Sequence, residues 1–270
     1  MHDGGAALRD RITSAVCQAL QPLPNVLAGW EGGSVAFNAT DEYSDIDLNF
    51  LVDDAASLEE LYSTSEVAIG SVSPITAVHP EPPGRYYKLQ DGSEFFLVDL
   101  CFFRSGASDR KLDVERHGQV RRLFDKGEWL ESSGAEAVSV EARRRKRLQE
   151  LEGWFAVSQT FVWKAVHRGQ QIEALAAFWG YTLRPLVELL RMRYCPARWD
   201  FGMRYLHRDL PGPVYRELRD IMFVQDPAAL ADHLAKAVEW GENLLQEHGA
   251  GRRNPTSGQA GEQPDAADAT

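Results

Sequence analysis

Two acids two residues apart, and a Gly-Ser pair just before them, are the residues of this 270-residue chain best suited to chemistry. Asp45 and Asp47 open the run Asp-Ile-Asp-Leu-Asn-Phe-Leu-Val, and a third acid, Asp99, stands alone inside the otherwise apolar stretch Phe95 to Phe103. Alternate residues of a strand project from one face, so Asp45 and Asp47 present their carboxylates side by side. Such a pair repels itself and is costly to desolvate unless a cation lies between. Mg2+ suits that place, since it takes one or two protein carboxylates and completes its shell with phosphate oxygens. Gly33-Ser34 lies eleven residues before Asp45. Glycine allows close approach of the backbone, and Ser34 offers a hydroxyl and an amide to a phosphate at the start of a short helix. A phosphate cradle followed by a metal-binding acid pair reads as a site for metal-nucleotide chemistry.

These residues need a sheet to hold them. Leu8, Ile12, Val16 and Leu20 form one stripe of a helix over 6–20, and strands follow at 26–30 and 46–52. A helix is expected over 55–68, then a strand over 72–78 in which Pro74 implies an edge or a bulge. Asp91-Gly92 between apolar runs predicts a hairpin of 86–89 with 94–103, which puts Asp99 on its second arm. A helix over 110–124 and a turn at 124–128 close this part. Beyond Glu131-Ser132-Ser133-Gly134 the pattern is helical: 136–167, 171–193, 212–223 and 227–247. Pro185 predicts a kink in the second of these, because it lacks the amide that would bond the Tyr181 carbonyl. The basic run Arg143–Arg147 reads as a solvated helix face, or else a phosphate contact. The expected fold is α+β: a mixed-sheet catalytic domain over 1–132, an all-α helical bundle over 133–248, and a disordered tail over 249–270 that lacks large apolar residues.

Charge narrows the partners. Of the net charge of −11, residues 1–130 hold −10, with 11 lysines and arginines against 21 acids. Polynucleotide binders cluster Lys and Arg, and this half does the reverse. An acidic field draws metal ions and cationic small molecules instead. With no apolar run near the ~20 residues of a membrane span and no signal-peptide pattern, neither a membrane nor a polynucleotide partner is expected, and the location expected is cytoplasmic. Cys17, Cys101 and Cys195 have neither the number nor the spacing of a disulfide framework or a zinc site, and read as buried apolar residues.

Gly33-Ser34, the gap, Asp45-Ile46-Asp47 and the later Asp99 together resemble the nucleotidyltransferase superfamily. The layout is similar to its small members with a C-terminal helical domain, among them the aminoglycoside and lincosamide adenylyltransferases. The resemblance implies an enzyme that binds Mg2+ and an NTP, with ATP expected. It would transfer the nucleoside monophosphate to a hydroxyl of a small-molecule acceptor such as an aminoglycoside-like antibiotic, releasing pyrophosphate. It implies Gly33 and Ser34 at the distal phosphates, Asp45 and Asp47 as metal ligands, and Asp99 as third ligand or as general base. Relatives often carry an Arg two or three residues after Gly-Ser, where Val35, Ala36 and Phe37 stand here, so another cation must meet the triphosphate: Lys88, Arg104 or Lys164. Trp179, Tyr181, Arg184 and Glu188 are candidates to face the acceptor, with Trp179 more expected in the core and Glu188 a possible second base. The alternative is a nucleotide-binding regulatory or toxin-antitoxin-type protein without small-molecule turnover. In a nuclease role Arg110 to His117 would be the relevant spacing, but it lies outside the helical half.

Overall fold

The computed structural model describes residues 4–107, 110–131 and 135–250. Of the expected boundary Glu131–Gly134, residues 132–134 lie outside them, and so does the expected tail over 249–270 save Gly249 and Ala250, which instead end the last helix. The chain divides into two compact units, 1–140 and 141–270.

The first unit is built on a six-stranded mixed sheet. Its strands, β1 Val26–Glu31, β2 Ile46–Val52, β3 Ile75–Glu81, β4 Gly84–Leu89, β5 Leu97–Arg104 and β6 Arg121–Asp125, lie in the order β3-β4-β5-β2-β1-β6. β2 and β5 are parallel and the other pairs antiparallel. The alternation of the two central strands sorts their side chains by face. Ile46, Leu48, Phe50 and Val52, with Val98, Leu100 and Phe102, join a core completed by α1 (Gly4–Leu20) and α3 (Leu58–Val72). Burying each such side chain contributes roughly 1.5–3 kcal/mol, which makes this face the main anchor of the sheet. Asp47, Asn49 and Leu51, with Asp99, Cys101 and Phe103, take the opposite face. There Leu51, Cys101 and Phe103 pack with Ala28, Trp30 and Leu112 in a smaller cluster. Both faces of β2 and β5 are thus covered below the acids, which is why these strands read as near-continuous apolar runs.

α3 starts on the Ser57 cap, whose hydroxyl accepts from the Glu60 amide, and runs through Val72. The third strand therefore begins at Ile75 rather than Val72. It is an edge strand with a register shift between Ile75 and Ala77, as Pro74 implied.

The helix expected over 110–124 is not formed. Asp113 caps only the four-residue α4 (Val114–His117), which Gly118 ends at φ 78. A side chain at Gly118 would meet the Ala36 carbonyl oxygen at 2.5 Å. The chain then turns into β6, which pairs with the otherwise open edge of β1. The demand of that edge for hydrogen bonds outweighs the helical spacing of the local sequence.

The second unit is helical: it holds α5 (Ala135–His167) from Glu141 onward, α6 (Gln171–Ala177), α7 (Arg184–Tyr194), α8 (Leu206–Asp209), α9 (Gly212–Met222) and α10 (Leu230–Ala250). Just before Pro185, where a kink was expected, the helix carries a π-helical segment, Phe178–Leu183, between α6 and α7. The Tyr181 carbonyl that Pro185 leaves unbonded accepts from Gln159 Nε2 at 3.0 Å, and Gln159 Oε1 accepts from Thr182 at 2.6 Å. The widened turn shifts the phase of the side chains, so Phe178 is fully buried and Trp179, expected in the core, is 39% exposed. Trp179 lines a cavity of about 240 Å³ with Met203, Tyr205 and Met222. The basic run is an ion-paired face, with Arg144 and Arg145 on Glu141 and Arg147 on Glu150 and Glu188. Among the described residues no helix is long and apolar enough to cross a membrane.

Candidate active site

Parallel pairing of β2 with β5 sets Asp47 directly beside Asp99. Asp45 precedes the strand and is gripped from behind. Arg9 on α1 donates to the carbonyls of Ser44 and Asp45, each at 2.7 Å. Arg9 is held in turn by Glu31, which is fully buried at the end of β1 and also binds Arg121 of β6. A buried glutamate compensated by two arginines thus fixes the backbone that carries the first acid.

Gly33 is the closest neighbour of the second. Its backbone is left-handed at φ 57, and a Cβ there would stand 1.7 Å from Asp47 Oδ2. Only glycine fits both conditions. The Gly32 amide donates to the Asp47 carbonyl at 3.0 Å and ties the Gly-Ser turn to the strand. Ser34 lies in the four-residue α2 (Gly33–Ala36), with its hydroxyl 3.5 Å from that of Thr40. On the other side, a Cβ on Gly84 of β4 would come within 3.2 Å of Asp99 Oδ1, so β4 also packs closely on the acids. The Cys101 thiol donates to Asp99 Oδ1 at 3.4 Å.

The electrostatics follow from this crowding. Burial, and then the charge of Asp99, push Asp47 up to about 6, against a pull downward from Lys111. Burial also raises Asp99, with Lys111 and the Cys101 thiol opposing, and burial and Asp99 raise Asp45, with the Leu97 amide and Arg9 opposing. Three half-buried carboxylates, of which Asp99 raises the other two, form an all-oxygen donor set suited to a hard divalent cation. In their present conformations no three His, Cys, Asp or Glu side chains among the described residues converge as a ligand cluster. The fit to Mg2+ therefore rests on donor chemistry and mutual repulsion, with phosphate oxygens left to complete the shell.

The other expected residues are placed less centrally. Lys88 lies one strand step from Tyr86, which faces Asp99, but its ammonium donates to the Glu94 carbonyl at 3.0 Å. Arg104 is spent on the carbonyls of Asp53, Asp54 and Ala56. Lys164, Tyr181 and Arg184 are exposed in the helical unit. Glu188, a possible second base, is bound by the Arg147 guanidinium at 2.6 and 3.3 Å. Lys111, Arg9 and Glu31 were not singled out by sequence. A glutamate ending an apolar strand was a signal for Glu31. Nothing marked Lys111, which reaches the acids through loop geometry.

No family model matches the chain, and no curated protein does. Solved structures give low-scoring likenesses. An aminoglycoside 6-adenyltransferase from Bacillus subtilis aligns at TM-score 0.36 and 12% identity over 92% of each chain. A spectinomycin adenyltransferase from Enterococcus faecialis, solved with ATP and spectinomycin, aligns at 0.38 and 9% over 90% of this chain and all of that one. A cyclic dinucleotide synthase from Elizabethkingia meningoseptica, with GTP and Apcpp, aligns at 0.31 and 13% over 90% and 92%. Likenesses at these scores carry no functional conclusion, and what the chain does must be read from its three acids and the glycine turn packed against them.

Proposed function

We propose that the protein is a nucleotidyltransferase that moves a nucleoside monophosphate from an NTP, with ATP expected, to a hydroxyl of a small molecule and releases pyrophosphate. The observation that carries this reading is the packing of Gly33 against Asp47 beside Asp99, with Asp45 at the strand entrance. Asp45 and Asp47 are the residues that would hold Mg2+. When bound, the ion would offset phosphate charge and help align the α-phosphate for in-line attack. Gly33 and Ser34 bring backbone and hydroxyl groups to the distal phosphates. Asp99, raised by burial, accepts the acceptor's hydroxyl proton at a carboxylate oxygen, or completes the ligand set. The acidity of residues 1–130 supports a cationic acceptor, of which an aminoglycoside-like antibiotic is the most specific version.

The test is pyrophosphate release with Mg2+, each NTP in turn, and a panel of hydroxyl-bearing cationic and neutral acceptors. Acceptor-dependent release that disappears in Asp47→Asn is the expected result. Nucleotide binding with no release on any acceptor would instead favour a regulatory role.

A further inference from the structure

The Gly-Ser turn is not followed by a cation, and Lys88 and Arg104 are engaged elsewhere. Lys111 has partners too, but it is seated beside the acids. Its Nζ lies 3.7 Å from Cys101 Sγ and 5.5 Å from the centre of the Phe103 ring. Cys101 and Phe103 continue, on the same face of β5, the row that Asp99 begins. The ammonium is thus seated one to two strand steps behind the acids, within electrostatic reach of both Asp47 and Asp99.

The loop is built to aim it there. Lys111 has a left-handed backbone, φ 56, which a non-glycine residue adopts rarely and holds only where the surroundings insist on it. On one side Arg110 Nε donates to the Ala107 carbonyl at 2.9 Å. Ser105 Oγ and the Gly106 amide bind Asp54 Oδ1 at 3.1 and 3.0 Å. On the other side Leu112 is buried against Trp30 and Phe103, and Asp113 caps α4. The flanks are pinned while the side chain itself keeps four rotatable bonds and three donors, the properties of a point charge that can change partners.

The geometry points to Lys111 as a phosphate-binding residue of the nucleotide site: on entry of the metal-nucleotide its ammonium exchanges its present contacts, the Cys101 thiol among them, for phosphate oxygens. Lys111 would thereby supply the cation missing after Gly33-Ser34. This assignment rests on the nucleotide reading above. No covalent step is involved.

Calorimetry of wild type, Lys111→Met and Lys111→Arg with MgATP, MgGTP and magnesium pyrophosphate tests it, with circular dichroism and thermal unfolding to establish that each variant is folded. Lys111→Met should weaken binding of pyrophosphate and of the preferred nucleotide by ~10- to 100-fold, the range of a charge-assisted hydrogen bond, and Lys111→Arg should recover part of it. A lysine that only offsets the acids gives another pattern: its loss leaves pyrophosphate affinity unchanged or alters Mg2+ binding alone. That result overturns the assignment and leaves the nucleotide site standing. If the wild type binds neither nucleotide nor pyrophosphate, the assignment and the nucleotide reading fall together. Should Lys111→Met fail to fold, Lys111→Gln serves in its place and the same comparison decides.

Discussion

A methyl group on Gly33 would stand 1.7 Å from Asp47 Oδ2, on a backbone already at φ 57. Gly33→Ala should therefore displace the Asp47 carboxylate as well as straining the turn. Transfer should fall at least tenfold while the fold survives, which kinetics and circular dichroism would show; wild-type rates would mean that Asp47 has freedom the packing denies. Asp47 itself couples to pH. Its folded pKa of about 6 lies above the ordinary 3.8, so without metal the folded state binds its proton more tightly than the unfolded state does. The resulting stability is fully present below about pH 4 and is lost as pH rises through 6, an effect of at most about 3 kcal/mol. In EDTA, Asp47→Asn should flatten that decline and melt higher than wild type at pH 7, while losing affinity for Mg-nucleotide. A lower melting point in EDTA would reveal a structural partner of Asp47. Asp99→Asn separates two roles. As general base, Asp99 on removal should lower the rate by ~10²–10⁴ at nearly unchanged Mg-nucleotide affinity. As a ligand, its loss should weaken affinity and rate together.

Elements tell which parts of this architecture were written locally. Strands β1, β2 and β5 were legible because their apolar runs are bounded by turn residues, and the placement of Asp45, Asp47 and Asp99 on or beside them followed from that. The α1 stripe was legible because its four apolar residues repeat at helical spacing. β6 was not legible: Arg121–Asp125 becomes a strand only because β1 offers it an edge, a fact encoded ninety residues away in the Arg121–Glu31 pair. Lys111 escaped for the same reason, since its position depends on Asp54, Asp113 and a buried Leu112 together. The π segment was half visible, in that Pro185 foretold a free Tyr181 carbonyl but not that Gln159 would satisfy it. That pairing predicts a coupled effect. Gln159→Leu leaves the carbonyl without a partner and should cost ~1–3 kcal/mol in denaturant unfolding. Pro185→Ala restores an amide to the helix, so the same Gln159 change should cost less in that background. Additive effects would show that Gln159 acts elsewhere.

At the scale of the whole molecule, charge is the property that would choose among acceptors of the proposed transferase. The sheet-bearing half carries nearly all of the net −11, and the remaining charges of 131–248 balance at 16 against 16. An NTP must approach this negative half with its own charge offset by metal, whereas a polycationic acceptor is drawn to it. Exposed charges are screened beyond ~8 Å at physiological ionic strength, so that attraction is sensitive to salt in a way that hydrogen bonds within the site are not. For an aminoglycoside acceptor, KM should rise severalfold between low and physiological salt while kcat changes little, because the field assists encounter rather than the phosphoryl step. For a neutral acceptor of similar size, KM should stay flat. Steady-state kinetics at two ionic strengths, with Mg-nucleotide saturating, separate the cases. If a neutral sugar-like acceptor turns over faster than every cationic one, and does so regardless of salt, the acidic surface serves some purpose other than acceptor capture. The proposed transfer at the three acids and their glycine turn would still stand, and its acceptor would have to be sought by shape.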